Sequence, residues 1–413
     1  MKKLFVVLLS AVALFTACDA DRCNQTVTYT KAIAIYMDMT ELRNAELNLP
    51  AREIEDAGKI YVADDFLLIG EEGEGIHVID NSDESNPTII NFINIPLNRE
   101  YIVDGNTIYA ESQYDMMAID ISDLSNAKLL SREESYLEVQ HTNDKGEQLV
   151  GFDYQEVTES LPCTSEINPD VVNFLAWNNE LIPPSSVPSS FTGSSAGQSG
   201  TINRLAKAND HLFMITNNNL HIFDASSGVS KVTTEKNFDD GMETIITRGN
   251  EAFIGKFDGM AIVDISNPAN PTITNTYRHQ EACDPVLPHG EVAYVTLRVD
   301  GPCQGRRNLL DVVDLSRSTR TGVLSAITRI NMSSPYGMTI DGNILYVGEG
   351  ENGLKEFDIT NPTSPQLISW NQEVAAYDII LHPTKDLVLL AGPQGLSQYE
   401  NGTELTVVSN ISY

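Results

Sequence analysis

Apolar residues in this chain come in short alternating runs, and run after run stops at an acid. His77-Val78-Ile79-Asp80 and Met117-Ala118-Ile119-Asp120 set the pattern. His221-Ile222-Phe223-Asp224, Ala261-Ile262-Val263-Asp264 and Asp311-Val312-Val313-Asp314 repeat it, as does Leu354-Lys355-Glu356-Phe357-Asp358. Ser397-Gln398-Tyr399-Glu400 closes the series with a glutamate. Period-two alternation over a few residues, bounded by turn formers, predicts β-strands. Around Asp358 a whole unit is readable: Gly337 to Ile340, Asn343 to Gly348, Gly353 to Asp358 and Gln366 to Trp370 are four strands in succession.

The acids stand 40, 104, 40, 50, 44 and 42 residues apart. A four-stranded blade takes about 40–50 residues, so the spacing is that of a propeller. The offset inside a unit also holds, since Tyr109, Phe213 and Phe253 each precede their aspartate by eleven residues. The predicted fold is therefore all-β: a seven-bladed β-propeller of four-stranded blades, with six or eight blades as the alternatives. Lys31 to Met37 reads as an additional strand that would pair at the seam between first and last blades. Asp80, Asp120, Asp224, Asp264, Asp314 and Asp358 are assigned a turn role. A short carboxylate at a strand end accepts backbone N–H groups two residues on, and Ser266-Asn267-Pro268 or Thr360-Asn361-Pro362 then stops the strand.

Two places break the period. The 104-residue gap holds one blade plus an insertion near 132–201, strand-like from Gln148 to Val157 and then rich in Pro, Ser and Gly. Inside it, Gly193-Ser194-Ser195-Ala196-Gly197 matches the spacing of a nucleophile elbow, but that chemistry needs a strand-to-helix turn and the flanks supply neither. The fifth unit carries Arg278, His279, His289, Arg298, Arg306 and Arg307 between and around Cys283 and Cys303. This is the densest basic chemistry in the chain. It reads as a rim loop contacting an acidic or sugar ligand, or as a stapled surface loop paired with the protein's own acids.

The ends and composition add context. Lys2-Lys3, an apolar run from Leu4 to Phe15, and Thr16-Ala17-Cys18 predict a signal peptide over 1–17, too short to span a bilayer. A small residue before cysteine resembles a lipobox, with Cys18 acylated; an ordinary cleavage after Ala17 is the alternative. The segment 18–56 then leads to a propeller over 57–413. The full chain carries a formal charge of −32, and losing residues 1–17 removes two lysines and no acid, giving −34. Such a surface disfavours nucleic acid and suits solubility, a cationic partner or divalent cations. Four further cysteines fit an oxidising compartment. A Cys283–Cys303 bridge is preferred because both lie in one unit, leaving Cys23 and Cys163 as the other pair. The spacing of Cys283 and Cys303 is not that of a zinc site, and no metal or cofactor is expected.

The units around His77-Val78-Ile79-Asp80, Ala261-Ile262-Val263-Asp264-Ile265-Ser266-Asn267-Pro268 and Phe357-Asp358-Ile359-Thr360-Asn361-Pro362 resemble the LVIVD-repeat proteins. Lipoproteins of that group in Bacteroidota are similar over nearly the whole mature chain. The resemblance implies a propeller lipoprotein displayed at the cell surface on the outer membrane, with Asp19 and Asp21 after the lipid-bearing cysteine; it implies no reaction. Glu400 for aspartate and Arg317-Ser318 for Asn-Pro depart from the repeat. The expected function is a monomeric envelope-anchored binding or scaffold module for a protein, peptide or glycan, touching the membrane through its lipid alone. The alternative is a polysaccharide hydrolase or lyase on the same scaffold.

Overall fold

A computed structural model describes residues 24–137, 141–162, 203–216, 218–232, 236–238, 241–279, 285–299, 307–316, 322–402 and 405–413. The signal segment, all five cysteines, Ser195, Arg306 and Arg317-Ser318 lie outside the described residues. Contacts divide the chain into two units, Met1–Ile35 with Phe152–Asn178, and Tyr36–Gly151 with Asn179–Tyr413. The strands Asn24–Met37 and Gln148–Pro162 form a two-stranded sheet. The stretch read as a seam strand thus pairs with the strand-like start of the insertion. The short strand that joins blade 1 is instead Asn48–Leu49, paired to Thr88–Asn94.

The second unit is the seven-bladed propeller that the repeat spacing predicts. Its sheets span 57–94, 101–133, 205–237, 242–278, 286–331, 338–371 and 378–412, and are numbered blades 1 to 7 here. Strands within a blade run antiparallel in chain order. First strands of neighbouring blades touch, so they are the innermost. In six blades the outermost strand carries a bulge at one register, for example at Ile90 between Ile89 and Asn91 and at Ile368 between Leu367 and Ser369. An extra residue there sharpens the twist of the sheet. Blade 3 differs: its outer edge consists of two two-residue strands, Ser230–Lys231 and Lys236–Asn237. Blade 4 gains a parallel fifth strand, Val323–Leu324.

Each sheet is buried on both faces. In the second strand of blade 1, Leu67 and Ile69 pack against Ile380 and Leu389 of blade 7, while Leu68 packs with Ile108 and Ala110 of blade 2. All are shielded from water, and cutting such a leucine to alanine costs about 2–5 kcal/mol. Among the described residues no strand is exchanged to close the ring. Blade 7 meets blade 1 through a reciprocal buried amide pair instead. Asn81 Nδ2 donates to Gln398 Oε1 at 3.0 Å, and Gln398 Nε2 donates back to Asn81 Oδ1 at 2.8 Å.

Gly75 and Gly259 open the third strands of blades 1 and 4 at φ 150° and 155°. A Cβ there would overlap the carbonyl of Ile93 or Tyr277 on the outermost strand, so only glycine admits that approach.

Candidate functional site

Strand direction sorts the propeller into two ends. The third strand of every blade runs toward its turn acid, so that end carries the first-to-second and third-to-fourth turns. The opposite end carries the second-to-third hairpins and the connections between blades. At the acid end the local chemistry is uniform. The Oδ1 atoms of Asp80, Asp120, Asp224, Asp264, Asp314 and Asp358 accept the N–H of the residue two further on, at 2.8–2.9 Å. They do not converge on one centre.

The connection end is held by buried acids. Glu71 ends the second strand of blade 1, and its Oε1 accepts the N–H groups of Glu55 and Asp56 at 3.2 and 2.6 Å. His77 Nε2 donates to its Oε2 at 2.5 Å. In blade 6 Glu349 does the same work: it accepts from the N–H groups of Ser333 and Ser334 and pairs with the ammonium of Lys355. Glu349 and Glu71 are both five residues along the second strand from the residue paired with the turn aspartate. Glu71 sits in the acidic run Gly70 to Gly75, yet it is only 4% exposed. In blade 2 Asp115 fixes other segments, accepting both Nε and Nη2 of Arg43 at 2.8 Å together with the N–H of Ser135.

One junction is built differently. Four residues along the second strand, counted the same way, stand Gly70, Ile215, Gly255, Thr296, Gly348 and Ala391; in blade 2 the position is Glu111. Strand alternation turns it toward blade 3, the side on which Tyr109 donates to Ala225 O. His221 comes from the third strand of blade 3. Its neighbours Leu220 and Ile222 pack toward blade 4, so its ring faces blade 2. Tyr136, beyond the last strand of blade 2, lies between them, edge-on to His221 and Phe223 with ring centroids 5.3 and 5.2 Å away. Arg204 heads the innermost strand of blade 3.

These groups are poorly paired. Glu111 Oε2 accepts the N–H of Arg99 at 3.2 Å. Glu111 Oε1, the Tyr136 hydroxyl, Arg204 Nε and His221 Nδ1 are enclosed and have no hydrogen-bond partner among the described residues. His221 Nε2 reaches only Thr216 Oγ1, at 3.4 Å. Each unsatisfied group costs about 1–3 kcal/mol. Burial pushes the Glu111 carboxyl up to about 7, against the pull of Arg99. It pushes His221 down to about 4, helped by Lys231, and carries the Tyr136 phenol well above its ordinary value. Arg204 is lowered by burial as well. Near neutral pH the junction thus holds a neutral imidazole, a neutral phenol and a carboxyl at its midpoint.

The residues singled out in the fifth unit are distributed rather than gathered. Arg278, His279, Arg298 and Arg307 lie at the connection end, whereas His289 ends the innermost strand at the acid end. Arg298 stacks on the Tyr336 ring at 3.8 Å. Arg278 is 77% exposed and 3.8 Å from Asp258, His279 lies beside the Tyr277 ring, and His289 beside Tyr294. Arg307 is exposed. The buried acid of that unit is Asp311, which accepts from the Tyr277 hydroxyl and lies 3.3 Å from Arg329. Among the described residues no group of three His, Cys, Asp or Glu side chains could hold a metal. Glu111, Tyr136 and Arg204 escape a reading of motifs. Superposing the units on their turn aspartates would have found Glu111, the one acid in a column of mostly small residues.

A family model described as LVIVD repeat matches residues 55–94, 243–279 and 337–370, which are blades 1, 4 and 6. A comparison with curated proteins finds no match. Among solved structures, the computationally designed Ika8 protein is similar at 10% identity, over 89% of this chain and 92% of that one, with a TM-score of 0.52. BamB from Moraxella catarrhalis aligns at 9% identity over 90% and 97%, with a TM-score of 0.47. A chain of a mitotic checkpoint complex aligns at 9% over 95% and 96%, with a TM-score of 0.49. At 10% identity the likeness to the designed protein speaks for the fold alone. The protein is a seven-bladed β-propeller that carries LVIVD repeats.

Proposed function

We propose that this protein is a binding module of the cell envelope, held by an acylated Cys18 and engaging a protein, peptide or glycan through the connection end of its propeller. One observation carries the reading. Buried Glu71 and Glu349 clamp the backbone of the connections entering blades 1 and 6, so loops that would otherwise be mobile are pre-ordered. A pre-ordered loop face loses less entropy on association than a flexible one. The charge of −32 favours a partner with basic groups or one that is neutral. The Thr16-Ala17-Cys18 sequence supports lipid attachment, and multiple acyl chains anchor stably where one does not.

Two measurements test this. Cys18→Ser should move the protein from the membrane fraction to the soluble one; retention in membranes would refute acyl anchoring. Cross-linking on intact cells should recover a reproducible partner with the wild-type protein, and recovery should fall when Glu349→Ala loosens the connection into blade 6. Unchanged recovery by a folded Glu349→Ala protein would remove that face from the argument.

A further inference from the structure

Near the acid end, one position of the second strand bridges to the next blade. It is the residue paired with the one two before the turn acid: Tyr109 in blade 2, Tyr294 in blade 5 and Tyr346 in blade 6. Their hydroxyls reach the turn after the next blade's acid, donating to Ala225 O at 3.2 Å, Pro362 O at 3.0 Å and Asn401 Oδ1 at 3.3 Å. Blades 3 and 4 carry phenylalanine there, Phe213 and Phe253. Blade 4 adds Arg248, the last residue of its innermost strand. That guanidinium lies 4.9 Å from the centre of the Phe253 ring and donates to Glu251 Oε2 at 2.9 Å and to Gly290 O of blade 5 at 2.7 Å. The residue of blade 3 in the register of Arg248 is Ala208. Here the junction holds a cavity of about 160 Å³, lined by Ala208, Asp210 and Phe213 on one side and by Ile265, Ser266 and Pro268 of blade 4 on the other.

We infer that this cavity takes an arginine side chain of a partner protein, its guanidinium supplied in trans where blade 4 supplies Arg248 in cis. A cavity of ~150 Å³ admits a benzene ring, so there is room for a planar guanidinium. The apolar lining of Phe213, Ile265 and Pro268 suits its weakly hydrated faces, and the exposed Asp210 offers a carboxylate to its fork of N–H donors. Glu251, the acid that holds Arg248, is matched in blade 3 by His211, and the acid stands one residue earlier in the turn. Lys207, the cation next to Ala208, points to the other face and is engaged 3.0 Å from Asp104 of blade 2. A charge of −32 draws in a basic partner and repels a second copy of this chain. The cavity lies at the end opposite the blade connections, so the inference stands apart from the partner-binding reading above.

The test titrates the mature wild-type protein with acetyl-Gly-Arg-Gly-amide by calorimetry, and soaks crystals in the same peptide. The expected result is saturable binding in the millimolar range, with the guanidinium beside Asp210 in the soaked crystal. The citrulline counterpart, of the same shape without the charge, should bind about tenfold more weakly. Ala208→Arg should fill the cavity from within and abolish binding, whereas Asp210→Asn should weaken it about threefold. Absence of saturable binding at tens of millimolar peptide would overturn the inference. So would binding that a folded Ala208→Arg protein retains in full, or a citrulline peptide that binds as tightly as the arginine one.

Discussion

Two glutamates one blade apart, both near the end of a second strand, meet opposite fates. Glu71 faces blade 7 and is saturated: two backbone N–H groups on one oxygen, the His77 imidazole on the other. Glu111 faces blade 3 and has a long bond from the Arg99 N–H and a weak pull from the Gln113 N–H, with its second oxygen unpartnered among the described residues. Burial works to raise both. At Glu71 the bonds from His77, Asp56 and Glu55 overcome it and hold the carboxyl below its ordinary range. At Glu111 nothing does. The burial of an acid therefore does not tell what it does to the fold; its bonding does.

The largest expected effect tests the sign of that contrast. Glu111 is raised in the folded state, so folding favours its protonated form. The stability this provides is full below its unfolded value near 4.5, declines as pH rises, and is gone above about 7. At about 1.4 kcal/mol per unit, the difference between pH 4.5 and pH 8 is about 3 kcal/mol. Glu111→Gln should flatten the urea-unfolding profile across that window and be more stable than wild type at pH 8. A variant whose pH profile tracks the wild type would show that Glu111 is not the titrating group.

Glu71 runs the other way. Its depressed folded value gives stability that is present above about 4.5 and lost as pH falls through the folded value. Glu71→Gln keeps the shape and removes charge-assisted bonds, at a cost of about 2 kcal/mol near neutral pH. Once the pH has fallen below the folded value, the variant and wild type should converge in chemical denaturation. A gap that stays constant with pH would mean that packing, not charge, explains the loss.

A pair of tyrosines sharpens the contrast with a smaller effect. Tyr101, from the innermost strand of blade 2, places its hydroxyl 2.9 Å from the carbonyls of Lys59 and Leu68 across the junction with blade 1. Removing that hydroxyl orphans a buried acceptor, and Tyr101→Phe should cost about 1 kcal/mol. Tyr136→Phe deletes a hydroxyl that has no partner among the described residues, so it should cost nothing or stabilise the protein. Equal losses in a thermal melt would show that the two junctions are alike after all.

The fold was legible because its signal is repeated and local. A strand that ends in aspartate every forty-odd residues survives one glutamate and two insertions, since each blade needs the same corner. The ring seam was less legible. Asn81 and Gln398 lie 317 residues apart and show no pattern in the sequence, while the strand Lys31–Met37 carries alternation that fits the two-stranded sheet as well as a blade. The junction of blades 2 and 3 was invisible for a related reason. Glu111 reads as an ordinary polar strand end in Ala110-Glu111-Ser112, and Tyr136 falls in a stretch outside the repeat. His221 shares its strand register with His77, three residues before the turn aspartate, and nothing in the sequence separates the two. The structure places both rings in the interior, and only His77 has an acid to meet.

The smallest expected effect concerns the corners that made the fold readable. The side chain of Asp264 accepts the Ser266 N–H at 2.9 Å, and that bond lowers its carboxyl together with the bond from the Ser266 side chain. Its surroundings are water, which competes for the same N–H when the carboxylate is gone. Asp264→Asn retains an acceptor and should melt with the wild type, whereas Asp264→Ala should melt slightly lower, by less than Tyr101→Phe. The repeat would then owe its regularity to many weak corners acting in parallel, with stability residing in the buried faces. A loss at Asp264→Ala exceeding that of Tyr101→Phe would reverse the order and make the exposed turns, not the junctions, the stronger constraint on each blade.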